Sequence, residues 1–223
     1  FGDAIVGRLV ARGLADELQG TAFAVIDGVD GRVHHVALPD LDAAGDSQPG
    51  SIVELRKFED ARGRVRIALA VRSDLDVEQQ VTADGATWLD RQALSREPVV
   101  LGDGAFGAEV KNAMERRAEH LVDQGFAGRQ GQRVVFTRNL LTALRDREIS
   151  ATGARLAAET SKPFQAANEG EHASGVYRRR LTLASGRFAM IDNGLGFQLV
   201  PWTPSLDKHL GQHVSGIVRG NSG

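Results

Sequence analysis

A single tyrosine, Tyr177, stands directly before Arg178, Arg179 and Arg180. A phenol oxygen beside three cations is a conceivable nucleophile toward a phosphodiester. Its setting argues otherwise, because Tyr177 opens a strand-like run in which tyrosine is ordinary core or rim material. The six histidines are His34, His35, His120, His172, His209 and His213. Adjacent strand residues face opposite ways, so His34 and His35 would not converge on one ion. His209 and His213 have the four-residue spacing of a helix face, but Gly211 and a strand signal at Val214 interrupt any such helix. The chain has no cysteine, which removes disulfides, thiolate zinc sites and cysteine nucleophiles. Gly102-Asp103-Gly104 lacks the Lys-Ser/Thr of a phosphate-binding loop. Ser185 sits in an Ala-Ser-Gly turn without a nucleophile-elbow context, and Asp27 and Asp30 lie in a hairpin turn that favours Asp for backbone reasons. The expectation is a chain with no catalytic residue, no metal ligand and no cofactor.

The remaining chemistry is cationic. Residues 1–100 carry 11 Lys/Arg against 17 Asp/Glu, whereas residues 101–223 carry 16 against 12, so the balance moves from −6 to +4. Arginine, the better residue for two-pronged phosphate contacts, far outnumbers lysine. Arg116, Arg117, Arg129, Arg133 and Arg138 form one group, and Arg178, Arg180 and Arg187 a second. These eight are the candidate nucleic-acid contacts. Uninterrupted strand alternation would put Arg178 and Arg180 on one face and Arg179 on the other.

The elements that must position these residues can be read from periodicity. Ile5, Val6, Leu9, Val10, Leu14 and Leu18 have helical spacing and predict a first helix from Asp3 to Leu18. Residues 21–72 then change to short apolar runs separated by Gly-containing turns, which predicts a small antiparallel barrel or meander. Helical patterns return over 74–98 and 106–126. Phe126-Ala127 and Val134-Val135-Phe136 flank a basic tip, Arg129 to Arg133, and a further helix runs to about Glu159, with Gly153 expected to bend or interrupt it. Helix followed by basic hairpin is the pattern of a winged helix. After a linker at 160–173, short strands predict a second small barrel. The fold class expected is α+β: an N-terminal helix plus a small barrel-like β module at 1–73, a helical, winged-helix-like module at 74–160, and a second small barrel-like β module at 161–223. No apolar run approaches the roughly 18 residues of a membrane span. The chain opens on Phe1-Gly2-Asp3 and closes on Gly-Asn-Ser-Gly, so a piece of a longer protein is expected. The lack of cysteine fits a reducing cytoplasm, so the expected location is cytoplasmic.

Long phrases also carry a resemblance. "GVYRRRLTLASGRFAMIDNGLGFQLVPWTPSLDKHLGQHVSGIVRG", "RLVARGLADELQGTAFAVIDGVDGRVHHV", "ATWLDRQALSREP" and "RRAEHLVDQGFAGRQGQRVVFTRNLLTALRDRE" closely resemble, in the same order, the C-terminal region of proteobacterial relaxase/mobilisation nucleases. The resemblance implies a parent with an N-terminal metal-dependent tyrosine nuclease that nicks a transfer origin and passes through a type IV secretion channel. It implies for this chain a non-catalytic region with the nuclease domain in cis, with translocation alongside the transferred strand as the alternative to a purely cytoplasmic location. DNA, single- or double-stranded, is the expected partner; the alternatives are a module recognised by the type IV coupling protein and an architectural spacer.

Overall fold

A computed structural model describes residues 4–220. The expectations placed on both chain ends, including Asp3, lie outside the described residues. The protein is mixed α+β with antiparallel sheets. It divides into two compact units: one runs to Ala83 and resumes at Thr87–Arg138, the other comprises Asp84–Ala86 and the chain from Asn139 onward. The division at Arg138/Asn139 falls inside the stretch 74–160.

In the first unit, β1 (Ile5–Asp16), β2 (Thr21–Gly28), β3 (Val33–Leu38), β4 (Ile52–Glu59) and β5 (Val65–Ser73) form one sheet ordered β3-β2-β1-β4-β5. Every neighbouring pair is antiparallel. The sheet curls around Leu9, Ala22, Ala24, Ile26, Leu38, Val53, Leu55 and Leu69. A 3-10 turn, Asp42–Ala44, inserts the fully buried Ala44 into this core.

The first element is therefore a strand, not the helix its spacing predicts. Two bulges, at Leu9/Ala11 and Leu14/Asp16, each insert an extra residue opposite β2. The apolar residues that imitate a helical stripe therefore do not share one face: Ile5 and Leu9 meet the sheet core, Val6 packs under the helices, and Val10, Leu14 and Leu18 are exposed. Gly7 and Gly13 also favour the strand: a Cβ at Gly7 would stand 2.3 Å from the Asp27 carbonyl oxygen.

Three helices follow, α1 (Val77–Val81), α2 (Trp88–Leu94) and α3 (Ala105–Asp123). The two short ones are each fixed by a capping box, Asp76 with Gln79 and Thr87 with Asp90, which satisfies backbone amides that a short helix leaves open. Their apolar faces meet Val6, Val29 and Ile52, so Trp88, Leu89, Phe106, Val110 and Ala113 cover the outer face of the sheet at the start of β1 and β4. Arg8 fastens the layers, donating to Glu109 (3.0 Å) and Asp27 (3.2 Å) with its guanidinium 4.5 Å from the Phe106 ring centroid. The hairpin β6 (Ala127–Gln130) and β7 (Arg133–Phe136) ends the unit.

The second unit contains α4 (Leu140–Thr160), then β8 (His172–Leu183), β9 (Gly186–Asp192), β10 (Phe197–Pro201) and β11 (His213–Ile217), an antiparallel sheet ordered β10-β9-β8-β11. A 3-10 segment, Pro204–His209, precedes β11. α4 is continuous through Gly153, contrary to the bend expected there. Phe164 lies so close that a Cβ at Gly153 would stand 2.4 Å from its ring, so this glycine serves close packing. One sheet face packs Leu181, Phe188, Met190, Phe197 and Leu199 with Leu156 of α4. The other packs Tyr177, Ala189 and Ile191 with Trp202, Leu206 and Val214.

Candidate nucleic-acid interface

Of the five cations anticipated in the first unit, Arg117 must be withdrawn as a contact. Only 2% of its side chain is exposed. It donates Nε and Nη2 to the two carboxylate oxygens of Asp90, both at 2.9 Å, and Nη1 to the Ala83 carbonyl at 2.6 Å. Asp90, equally buried, also accepts from the Thr87 amide (2.9 Å) and hydroxyl (3.1 Å). An ion pair this deep persists only because each charge is fully hydrogen-bonded. It pins α3 to the N-terminus of α2 and the end of the α1 segment. The sequence did carry the signal: Val110, Ala113, Arg117 and Leu121 recur at helical spacing, and all four are buried.

Arg116, one position on, faces outward. It donates to Glu78 at 2.5 Å and to Asn112 at 2.8 Å. The hydrogen bond from Arg116 holds the Glu78 carboxyl below its ordinary range, and Glu78 raises the guanidinium in return. Arg129, on β6, clasps Glu119 of α3. Both charges are thus neutralised locally. Arg133 and Arg138 differ: both are exposed, and among the described residues neither has a carboxylate partner. The hairpin tip turns at Gly131, whose φ of +63° suits glycine, and Gly128 to Arg133 are exposed throughout.

The second group is built differently. A bulge between Tyr177 and Arg179 sets Tyr177 opposite Ile191 but Arg179 opposite Met190. The extra residue breaks the alternation on which the expected grouping of Arg178 with Arg180 rested. Arg180, opposite Ala189, now shares the face of Tyr177. There its guanidinium lies 4.9 Å from the ring centroid of Trp202, and that of Arg187 lies 5.6 Å from the same ring. Arg178 reaches back to Asp192 at 3.4 Å, beside Lys162 at 2.6 Å. The Lys162 ammonium, with the Gly194 amide, holds the Asp192 carboxyl below its usual range. Trp202 is the organising residue that sequence reasoning passed over; its place directly after Pro201, at a strand end, was the available sign.

The other chemistry-bearing side chains are dispersed. Tyr177 is 2% exposed. His34, on the inner side of β3, binds Asp30 at 3.0 Å, while its neighbour His35 stacks on Phe23 on the outer side. His209 contacts Gln212 and His213 contacts Ser174. Ser185 is buried and accepts from the Ala86 amide at 2.9 Å. Among the described residues no three His, Asp, Glu or Cys side chains gather as a metal site, and no helix is long and apolar enough to cross a membrane.

Fold and surface therefore define a two-unit α+β protein with antiparallel sheets and an exposed cationic hairpin. The chain matches the family described as protein of unknown function (DUF3363) over residues 2–66 and 55–222, and it belongs to that family. A comparison with curated proteins finds no match.

Proposed function

We propose that this chain is a non-catalytic, DNA-binding region that accompanies a relaxase-type nuclease in cis. The hairpin β6–β7 acts as a wing on duplex phosphates, with Arg133 and Arg138 as its contacts. The observation that carries the reading is the contrast among the anticipated cations: Arg116, Arg117, Arg129 and Arg178 each meet a carboxylate, whereas Arg133, at the glycine-turned tip, and Arg138, just beyond the end of β7, stand exposed without one. Cations already paired gain little from phosphate, while unpaired ones release counterions on contact. The burial of Tyr177 supports a role without strand cleavage. The relaxase assignment is supported by the long resembling phrases.

The test is anisotropy of a labelled 30-base-pair duplex across a salt series. Wild type binds with affinity that falls with salt, and Arg133→Glu with Arg138→Glu weakens binding at least tenfold. Neutral replacement of both flattens the log–log salt slope by about 2. Absent or salt-insensitive duplex binding overturns the reading and leaves protein recognition by the secretion machinery as the better one.

A further inference from the structure

The acidic, N-terminal sheet carries a feature that the cationic hairpin does not explain. Its strand order, β3-β2-β1-β4-β5, places β1 at the centre. β1 is twelve residues long; its first part pairs with β4 through Ile5 to Arg8, and it pairs with β2 from Gly7 to Asp16. A helical turn lies between β3 and β4 and buries Ala44 in the sheet's core, touching β2 and β5. A long, bulged first strand shared by two strand pairs, with a helical plug between β3 and β4, is the connectivity of the oligonucleotide/oligosaccharide-binding fold opened between β3 and β5. Folds of that kind bind across the outer face of β2 and β3, flanked by the β1–β2 and β4–β5 turns.

That outer face bears a ring platform. Register puts Phe23, Val25, His35 and Ala37 opposite the core-facing Ala22, Ala24, Val36 and Leu38. Phe23 and His35 are stacked, 5.5 Å apart between centroids and 8° from parallel. His35 is exposed and Phe23 half-buried. Gly13 lies opposite Phe23 on β1, and a Cβ there would meet the ring at 3.1 Å, so the platform is not overhung from that side. The helices cover this sheet at the start of β1 and β4 and reach the end of β2 at Val29, away from Phe23 and the exposed His35.

Charge selects between the two ligand classes. Although residues 1–100 are acidic in sum, the β4–β5 arm from 56 to 66 carries Arg56, Lys57, Arg62, Arg64 and Arg66 against Glu59 and Asp60. Glu54 engages Arg56 and Asp60 engages Arg64 and Arg66, which leaves Lys57 and Arg62 without a carboxylate partner among the described residues. Arg56, Phe58 and Arg66 share the outer face with the platform, because they alternate with the inward Leu55 and Phe58 pairs with Arg66. Phe58 is 49% exposed. At the β1–β2 turn the Asp16 carboxylate accepts from the Leu18 and Gln19 amides, so that charge is committed to the turn. Stacking rings beside a cationic arm is the combination that holds a single nucleic-acid strand, bases on the rings and backbone along the cations.

We infer that the outer face of β2–β3 is a single-stranded nucleic-acid site, with Phe23 and His35 as the stacking platform and Arg62, at the β4–β5 turn, along the strand's backbone. This goes beyond the hairpin reading, since the site needs neither Arg133 nor Arg138. The experiment is anisotropy of a labelled 15-mer of deoxythymidine on the full chain, in parallel with the duplex. His35→Ala, at an exposed position, and Phe23→Leu, which keeps apolar bulk, each weaken the 15-mer roughly tenfold and leave the duplex unchanged. Arg62→Glu weakens it in a salt-dependent way. The Arg133→Glu, Arg138→Glu double variant shows the converse selectivity. Wild-type affinity for the 15-mer in both His35→Ala and Phe23→Leu overturns the inference, whatever the duplex does. So does displacement of the 15-mer by a neutral hexasaccharide whose own binding requires Phe23 and His35.

Discussion

The four-stranded sheet is covered on both faces, whereas the five-stranded sheet leaves its outer face open over β2 and β3. In the second unit α4 closes one side through Leu156, and Trp202, Leu206 and Val214 close the other. Two of the arginines, Arg180 and Arg187, place their guanidiniums 4.9 and 5.6 Å from the Trp202 ring centroid as part of that cover. In the first unit the comparable ring pair, Phe23 and His35, has no such lid. The cation-rich half of the chain thus spends much of its arginine on structure, and the acid-rich half holds the uncovered aromatic surface. Net charge along a sequence is a poor guide to where charge is available, because availability depends on partners contributed by distant elements.

The comparison breaks first at Arg117. Arg117→Ala leaves Asp90 buried without its counter-charge and is expected to destabilise the first unit by about 3–5 kcal/mol, read as a lower midpoint in urea. Arg133→Ala, at an exposed position on the hairpin, should change stability by no more than about 0.5 kcal/mol. Equal effects would mean that burial does not separate these two arginines. Joint replacement, Arg117→Met with Asp90→Asn, should recover part of the loss, since it removes both charges together while the Asn oxygen still accepts from the Thr87 amide.

Trp202 gives the next largest effect. Trp202→Ala should cost the second unit about 3 kcal/mol, whereas Arg180→Ala and Arg187→Ala should each cost about 0.5–1 kcal/mol through the lost ring contact. All three should alter unfolding of that unit while leaving duplex affinity within about twofold. Loss of duplex binding in Arg180→Ala with unchanged stability would make these arginines contacts and not cover.

Legibility followed the range of the interactions. α3 and α4 were readable because a core-facing stripe repeats every three to four residues within one element. The β6–β7 hairpin was readable because Arg129-Gln130-Gly131-Gln132-Arg133 is a local turn signal. β1 was not, since its two bulges are defined only against β2. The same holds for Arg178 and Arg180, whose faces depend on a bulge against β9. Arg117 was misassigned for a different reason: its own stripe is legible, but its partner Asp90 lies 27 residues away, and residue type alone suggested the surface. The strand order that places Phe23 beside His35 is wholly non-local, so neither ring stood out.

The β4–β5 arm responds to pH through one carboxylate. Asp60 accepts from the Arg64 and Arg62 amides and from the Arg66 and Arg64 guanidiniums, with the Arg64 amide contributing most, and its carboxyl is lowered from 3.8 to about 2. A depressed acid stabilises the folded arm above its unfolded value and loses that contribution as pH falls through the folded one. The arm should therefore hold its turn down to about pH 4 and loosen between there and pH 2, the folded midpoint. A carboxyl-carbon NMR titration should place the Asp60 midpoint near 2. In Arg66→Ala the midpoint should rise only part of the way, because the backbone donors remain. A full return to 3.8 would mean that the guanidinium alone holds Asp60. Arg66 would then be a bound counter-ion of that turn, no freer than Arg116 or Arg129, and, with Arg56 held by Glu54, the contrast between a spent basic half and an available arm would narrow to Lys57 and Arg62.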